Sequence, residues 1–221
     1  MKRLGIMLSA ILLAPLAPQA ADLNWNSGTS TMYTPTPAAA WSGFYAGANG
    51  GFAWGTFTNQ PIGGGARTDH NTNGAVLGAT AGYNMDMGGF VIGGEGDLQW
   101  ANIGYSEDVG ARTFKSNVDF FGTLRGRAGA SFGQVMPYVT AGVAIGRGTS
   151  SETLAGVTRS QSATHLGWAL GLGLEAQATQ NISLKAEYLY VDLGSQPYSG
   201  IRGMDESHRF GVIRAGINYK F

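Results

Sequence analysis

The end of the chain shows the pattern most plainly. Gly211, Ile213, Ala215, Ile217, Tyr219 and Phe221 fall on one face of an extended segment, and Phe210, Val212, Arg214, Gly216, Asn218 and Lys220 on the other. A period of two predicts a strand with two unlike faces. Chain ends usually fray into water, so an apolar strand that closes on an aromatic is expected to lie against lipid.

The same alternation predicts seven more strands upstream. The first covers about 43–56, with Phe44, Ala46, Ala48, Phe52 and Trp54 on one face. The second covers 74–84, the third 90–103, the fourth runs to 132, the fifth covers 137–148, the sixth 166–177 and the seventh 182–191. The sixth is the most regular, with Leu166, Trp168, Leu170, Leu172, Leu174 and Ala176 against Gly167, Ala169, Gly171, Gly173, Glu175 and Gln177. Short connections at 86–89, 133–136 and 180–181 alternate with longer polar ones at 57–73, 104–117, 149–163 and 194–207. Tight turns on one side and long loops on the other are the pattern of an outer-membrane barrel, and each segment has the ~9–11 residues a tilted strand needs to cross.

Composition narrows the reading. Charged residues are 13% of the 221, about half the ~25% of a soluble domain, while 43% are hydrophobic and 11% aromatic. The 36 glycines therefore do not mark disorder; they leave room for aromatic rings to lie over neighbouring strands and for tight barrel curvature. There is no cysteine and no net formal charge, which excludes a disulfide framework, thiol chemistry and a nucleic-acid footprint.

Lys2 and Arg3 precede an apolar run, 4–16, and Ala17-Pro18-Gln19-Ala20-Ala21, the form of a secretory signal peptide too short to span a bilayer. Cleavage is expected after Ala20. Removing Lys2 and Arg3 from the fourteen cations leaves twelve against fourteen acids. Residues 21–42 read as a periplasmic leader rich in Thr, Pro and Ala, in which Trp25 has no periodic support. No later run is long and apolar enough for a helix to span, so an exported, lipid-facing chain is expected to close into a barrel over 43–221.

The outward face has aromatics near both ends: Phe44, Tyr83, Phe90, Phe132, Tyr219 and Phe221 below, and Trp54, Trp100, Phe120, Trp168 and Tyr190 above. Such girdles suit the two lipid–water interfaces. A lipocalin-type soluble barrel would place the apolar face inside and a Lys- and Glu-rich face outside, whereas here the second face carries few charges among small residues.

Those few charges are the candidate chemistry. Glu95 and Asp97 lie about as far from their turn as Arg127 and Arg125 do from theirs, which predicts Glu95 beside Arg127 and Asp97 beside Arg125. Glu175, Lys185, Glu187 and Arg214 form a similar group. Charges withdrawn from water must be paired, so a structural lumen network is expected, with a selectivity ring as its alternative. His70, His165 and His208 lack metal-ligand spacing and fall near loop ends, where solvated or interfacial side chains are expected. Ser207 and His208 are adjacent on a strand and point oppositely, which disfavours them as nucleophile and base.

WSGFYAGANGG at 41–51, LKAEYLYVDLG at 184–194 and RAGINYKF at 214–221 resemble the small alphaproteobacterial outer-membrane proteins, major surface immunogens often described as porin-like, with haem-binding relatives. The resemblance covers about 43–221. It implies an eight-stranded barrel inserted by the outer-membrane assembly machinery, which reads a final strand ending in Phe, here Phe221. It also leaves haem as a cofactor, for which His70, Tyr198, Met204 and His208 are the available side chains.

The sequence therefore predicts an all-β protein, an eight-stranded antiparallel transmembrane β-barrel of up-and-down meander. Its expected role is structural and surface-interacting, without catalysis, with the lumen plugged by charged side chains. A small porin-like channel and a haem-binding surface receptor are the alternatives. Outer-membrane lipid, lipopolysaccharide and the assembly machinery are the expected partners.

Overall fold

The computed structural model describes residues 41–61, 65–110, 112–154, 157–198 and 204–221. They form eight strands: β1 (Gly43–Pro61), β2 (Thr68–Asp86), β3 (Phe90–Val109), β4 (Arg112–Ala130), β5 (Val135–Leu154), β6 (Val157–Gln177), β7 (Ile182–Tyr198) and β8 (Met204–Lys220). Each pairs antiparallel with its neighbours, and β1 pairs with β8 to close the barrel in meander order. No edge is left open, so every strand finds its ladder partners within the wall. No helix is present among the described residues.

The strands are longer than the alternation predicts. They run 17 to 21 residues, about twice what a tilted strand needs to cross. Nearly all the extra length lies on one side, β2 and β5 gaining only two residues each at the other. The segments expected as long loops are mostly strand, and the connections there shrink to 62–67, 110–111, 155–156 and 199–203. The opposite end has the short turns 87–89, 131–134 and 178–181. β5 shows why: its outward residues are Val139, Val143 and Ile145 near the short-turn end and polar from Arg147 upward. Lipid needs only the apolar half, while the polar half is held by backbone pairing and stands in water.

Three bulges reset the alternation. The register slips between Trp100 and Ile103 on β3 and between Val118 and Phe120 on β4, and again between Asp192 and Ser195 where β7 meets β8. A bulge shifts inward and outward assignments by one residue. On β4 it puts both Phe121 and Val118 inside, although the two residues between them would place them on opposite faces of a regular strand.

The signal peptide, Trp25 and leader residues up to 40 lie outside the described residues. Trp41 and Ser42, expected as the end of that leader, are described. Trp41 is buried and donates through its indole N–H to the Gly133 carbonyl at 3.4 Å, so the ordered structure begins before Gly43.

Candidate functional site in the barrel interior

The interior is stratified from the short-turn end upward. Trp41, Val91, Met136 and Tyr138 form the lowest layer. Above them come the buried charges, and above those an apolar cluster of Ala53, Phe57, Ile103, Val118, Phe121, Leu189, Leu193, Phe210 and their neighbours. His165 and His208 cap this cluster, stacked at 4.5 Å, with Phe57 stacked on His208 at 4.1 Å.

The charged layer brings together all eight residues singled out by the sequence. Glu95, Asp97, Arg125, Arg127, Glu175, Lys185, Glu187 and Arg214 are each buried, and four acids balance four cations. Arg125 donates to Glu187 at 2.5 Å, to Glu95 at 2.5 Å and to Asp97 at 2.8 Å, while its Nε reaches the Thr123 hydroxyl at 2.8 Å. Arg214 donates to Glu187 through Nε and Nη2 at 2.9 and 2.7 Å and to Asp97 at 3.1 Å. Lys185 donates to Glu95 at 2.8 Å and Arg127 to Glu175 at 2.7 Å. Ser183 and Asn218 complete the shell of Glu175 at 2.5 and 2.9 Å. Each guanidinium thus has several acceptors, as a charge out of bulk water requires.

Of the two pairs counted along the strands, Asp97 with Arg125 forms, at 2.8 Å, while Glu95 with Arg127 does not close to a hydrogen bond. The β3–β4 register sets Glu95 opposite Arg125, Asp97 opposite Thr123 and Gly93 opposite Arg127. Arg127 stays 3.8 Å from Glu95 and pairs across the interior with Glu175 instead. β3 starts opposite Ala130 rather than Phe132, which bridges Val135 inside the turn, so the register is two residues off a count made from Phe90 and Phe132.

Aromatics hold the layer from below. The Tyr45 hydroxyl donates to Glu95 at 2.8 Å and accepts from Arg127 at 3.0 Å. The Arg127 guanidinium lies 4.1 Å from the centre of the Tyr138 ring, a cation–π contact. A methyl group at Gly173 would meet Tyr138 Cζ at 2.5 Å; the bare backbone lets the ring lie flat on the wall.

The remaining candidates fall as follows. Phe44, Trp54, Tyr83, Phe90, Trp100, Phe120, Phe132, Trp168, Tyr219 and Phe221 are exposed on the outer wall, while Tyr190 is half-buried against Trp168 at 5.4 Å. Phe44 and Tyr83 are cross-strand partners with rings 4.7 Å apart. His165 and His208 are fully buried, contrary to the expectation of solvated loop-end residues, because the strands continue past them. His70 stacks on Tyr105 at 4.1 Å. Tyr198 and Met204 are register partners at the ends of β7 and β8, and their side chains lie outside the described residues. Among the described residues no group of three or more His, Cys, Asp or Glu is placed to hold a metal.

Sequence reasoning missed the apolar interior layer. Phe57 falls in a stretch that reads as loop, and Phe121 follows Phe120 in a run apolar on both faces.

Comparison with known proteins agrees with this architecture. Residues 7–221 match the family described as outer membrane protein beta-barrel domain. The chain is 31% identical to a 31 kDa outer-membrane immunogenic protein of Brucella melitensis, over 98% of each. It is 35% identical to a 22 kDa outer membrane protein of Rhizobium leguminosarum bv. viciae, over 84% of this chain and 80% of that one. Among solved structures, outer membrane protein OprG of Pseudomonas aeruginosa superposes with a TM-score of 0.50 at 18% identity, covering 83% of this chain and 98% of that one, a likeness of fold alone.

Proposed function

The chain belongs to the outer membrane protein β-barrel domain family and is a protein of the outer membrane, and from that premise we propose that it is a closed, non-conducting barrel that stabilises the envelope and presents its outer ends to the surroundings. One observation carries this reading. Across the eight-stranded interior, a charge-balanced layer of eight paired side chains lies directly beneath a layer of buried apolar ones. An eight-stranded wall leaves a bore that side chains can fill. A permeating ion would have to break guanidinium–carboxylate pairs and then cross a region lined by Phe121, Phe210 and Leu189, where nothing replaces its hydration shell.

The surface role rests on the strand extensions. They carry polar residues on their outer face well beyond the apolar band, as Arg147, Thr149 and Ser162 do on β5 and β6, and so extend the described strands away from the bilayer. Named relatives are immunogenic outer-membrane proteins, in keeping with a protein seen from outside.

The test is a single-channel recording of refolded protein in a planar bilayer. The proposal expects no stable conductance steps above the bare membrane. Steady steps of uniform size would replace it with the porin-like reading.

A further inference from the structure

We propose that the outer wall carries a binding site for the phosphorylated sugar headgroup of an outer-leaflet glycolipid, centred on Arg67 and Arg209. The inference rests on the outer-membrane location and is independent of lumen closure.

The site is made by the β7 bulge. Between Asp192 and Ser195 the β7–β8 register slips, and Gly194 takes a φ of 66°, in the left-handed region that favours glycine. Asp192 locks the turn by accepting the Gly194 N–H at 2.9 Å. The displaced backbone opens a recess of about 180 Å³ lined by Thr58, Arg67, Ser195, Ser207 and Arg209, among others.

Both guanidiniums are anchored by one nitrogen. Arg209 Nε donates to Asp192 at 3.0 Å, and Arg67 Nε donates to Gln60 at 3.1 Å. Among the described residues no partner takes the terminal nitrogens of either, so both present the forked end that matches a phosphate.

The level is that of a headgroup. Arg209 stands opposite Thr56, two residues above Trp54, and Gly211 below it stands opposite both Trp54 and Tyr190. Arg209 is therefore one outward-facing step, roughly 7 Å along the strand, above the upper aromatics.

The local charges narrow the ligand class. Asp192 already serves Arg209, and Asp69 accepts from the Thr58 hydroxyl at 2.8 Å. With acids so close, a bare anion gains little from long-range attraction. A phosphorylated sugar fits the mixture, because its hydroxyls can donate to carboxylates while its phosphate takes the arginine forks.

The experiment measures lipid binding to the full-length protein in phosphatidylcholine nanodiscs, titrated with diphosphoryl lipid A. Arg67→Ala with Arg209→Ala is expected to weaken binding about tenfold or more, and enzymatically dephosphorylated lipid A is expected to bind similarly poorly. Ser207→Asp, which adds an acid to the recess without touching either arginine, should weaken binding as well, and it keeps the test open if the double variant fails to fold. Glucosamine 6-phosphate and inorganic phosphate in solution should compete weakly. Unchanged affinity in the variants, or equal binding of dephosphorylated lipid A, overturns the site. Competition by the soluble sugar phosphate at the affinity of the lipid overturns the glycolipid assignment. Conductance is read separately without lipid A, so failure of the closed-barrel proposal shows in a different measurement.

Discussion

Arg125 on β4 donates through Nη1 to Glu187 on β7 at 2.5 Å, joining residues 62 apart in sequence across the barrel interior. Neither residue is on a strand adjacent to the other's, so the contact exists only when the barrel is closed. It is a tie across the bore rather than a cross-strand pair.

The first prediction concerns how these ties are shared. Removing one partner of a buried pair typically costs about 3–5 kcal/mol, less where water can enter. Arg127→Ala should couple strongly with Glu175→Ala in a double-mutant cycle, because the two groups meet at 2.7 Å. It should couple more weakly with Glu95→Ala, from which Arg127 stands 3.8 Å away with the Tyr45 hydroxyl between them, and whose other partners include Lys185 and Arg125. Denaturant unfolding in detergent, followed by heat-modifiable gel mobility, measures both cycles. Equal coupling would contradict the geometry.

A second prediction concerns the lower mouth. Trp41 covers Met136 and Tyr138 from the short-turn end and is tied to the Gly133 carbonyl. The chain has no cysteine, so Met136→Cys would be a unique reporter. It should resist a bulky thiol reagent in the refolded protein and become labelled once Trp41→Ala is added. Labelling at the same rate with Trp41 intact would show that the indole does not close this end.

What the sequence made legible divides by chemistry. Where lipid lies on one side and a polar lumen on the other, alternation is clean, as from Leu166 to Gln177, and strand identity, turns and inward charges follow directly. In the outer halves both faces are polar, as in Thr68-Asp69-His70-Asn71-Thr72-Asn73, and no period survives to mark a strand held by backbone pairing alone. Phe121 and Leu193 were hidden by bulges that shift the period by one residue. The Arg127–Glu175 pair was hidden because counting from turns sees only neighbours on adjacent strands. Charge balance could have been read from the sequence; partners across the bore could not.

Topology supplies a third prediction. Epitope tags inserted at Gly65 or Gly110 should be reached by antibody on intact cells, while tags at Gly88 or Gly133, in the short turns, should not. Antibody binding with the opposite pattern would invert the barrel.

A fourth follows from the final residue. The Phe221 backbone N–H donates to the Phe44 carbonyl at 3.0 Å, and its ring packs on Tyr219 at 5.3 Å. Phe221→Ala keeps the first contact and loses the second. Outer-membrane levels should fall if the assembly machinery reads this ring; levels equal to those of the unaltered protein would leave it no such role.

The last prediction treats the two interior layers as seals in series. Phe121 and Phe210 meet edge-on at 5.3 Å within the apolar layer, and replacing either with Ala should cost about 3–5 kcal/mol through the cavity left behind. Even so, the double Phe→Ala barrel should not conduct, because the charged layer beneath it is untouched. Conversely, Arg127→Ala with Glu175→Ala removes a matched pair without leaving a lone charge, and the apolar layer above should still exclude hydrated ions. Only the quadruple variant opens both layers, so conductance should appear there in steps that neither double variant shows. Planar-bilayer recordings under one salt condition decide the matter. Conductance in the double Phe→Ala barrel would mean the charged layer does not seal on its own. Conductance in the double charge variant would say the same of the apolar layer. A silent quadruple variant would shift the seal to the Trp41 layer, where the cysteine at position 136 can follow it.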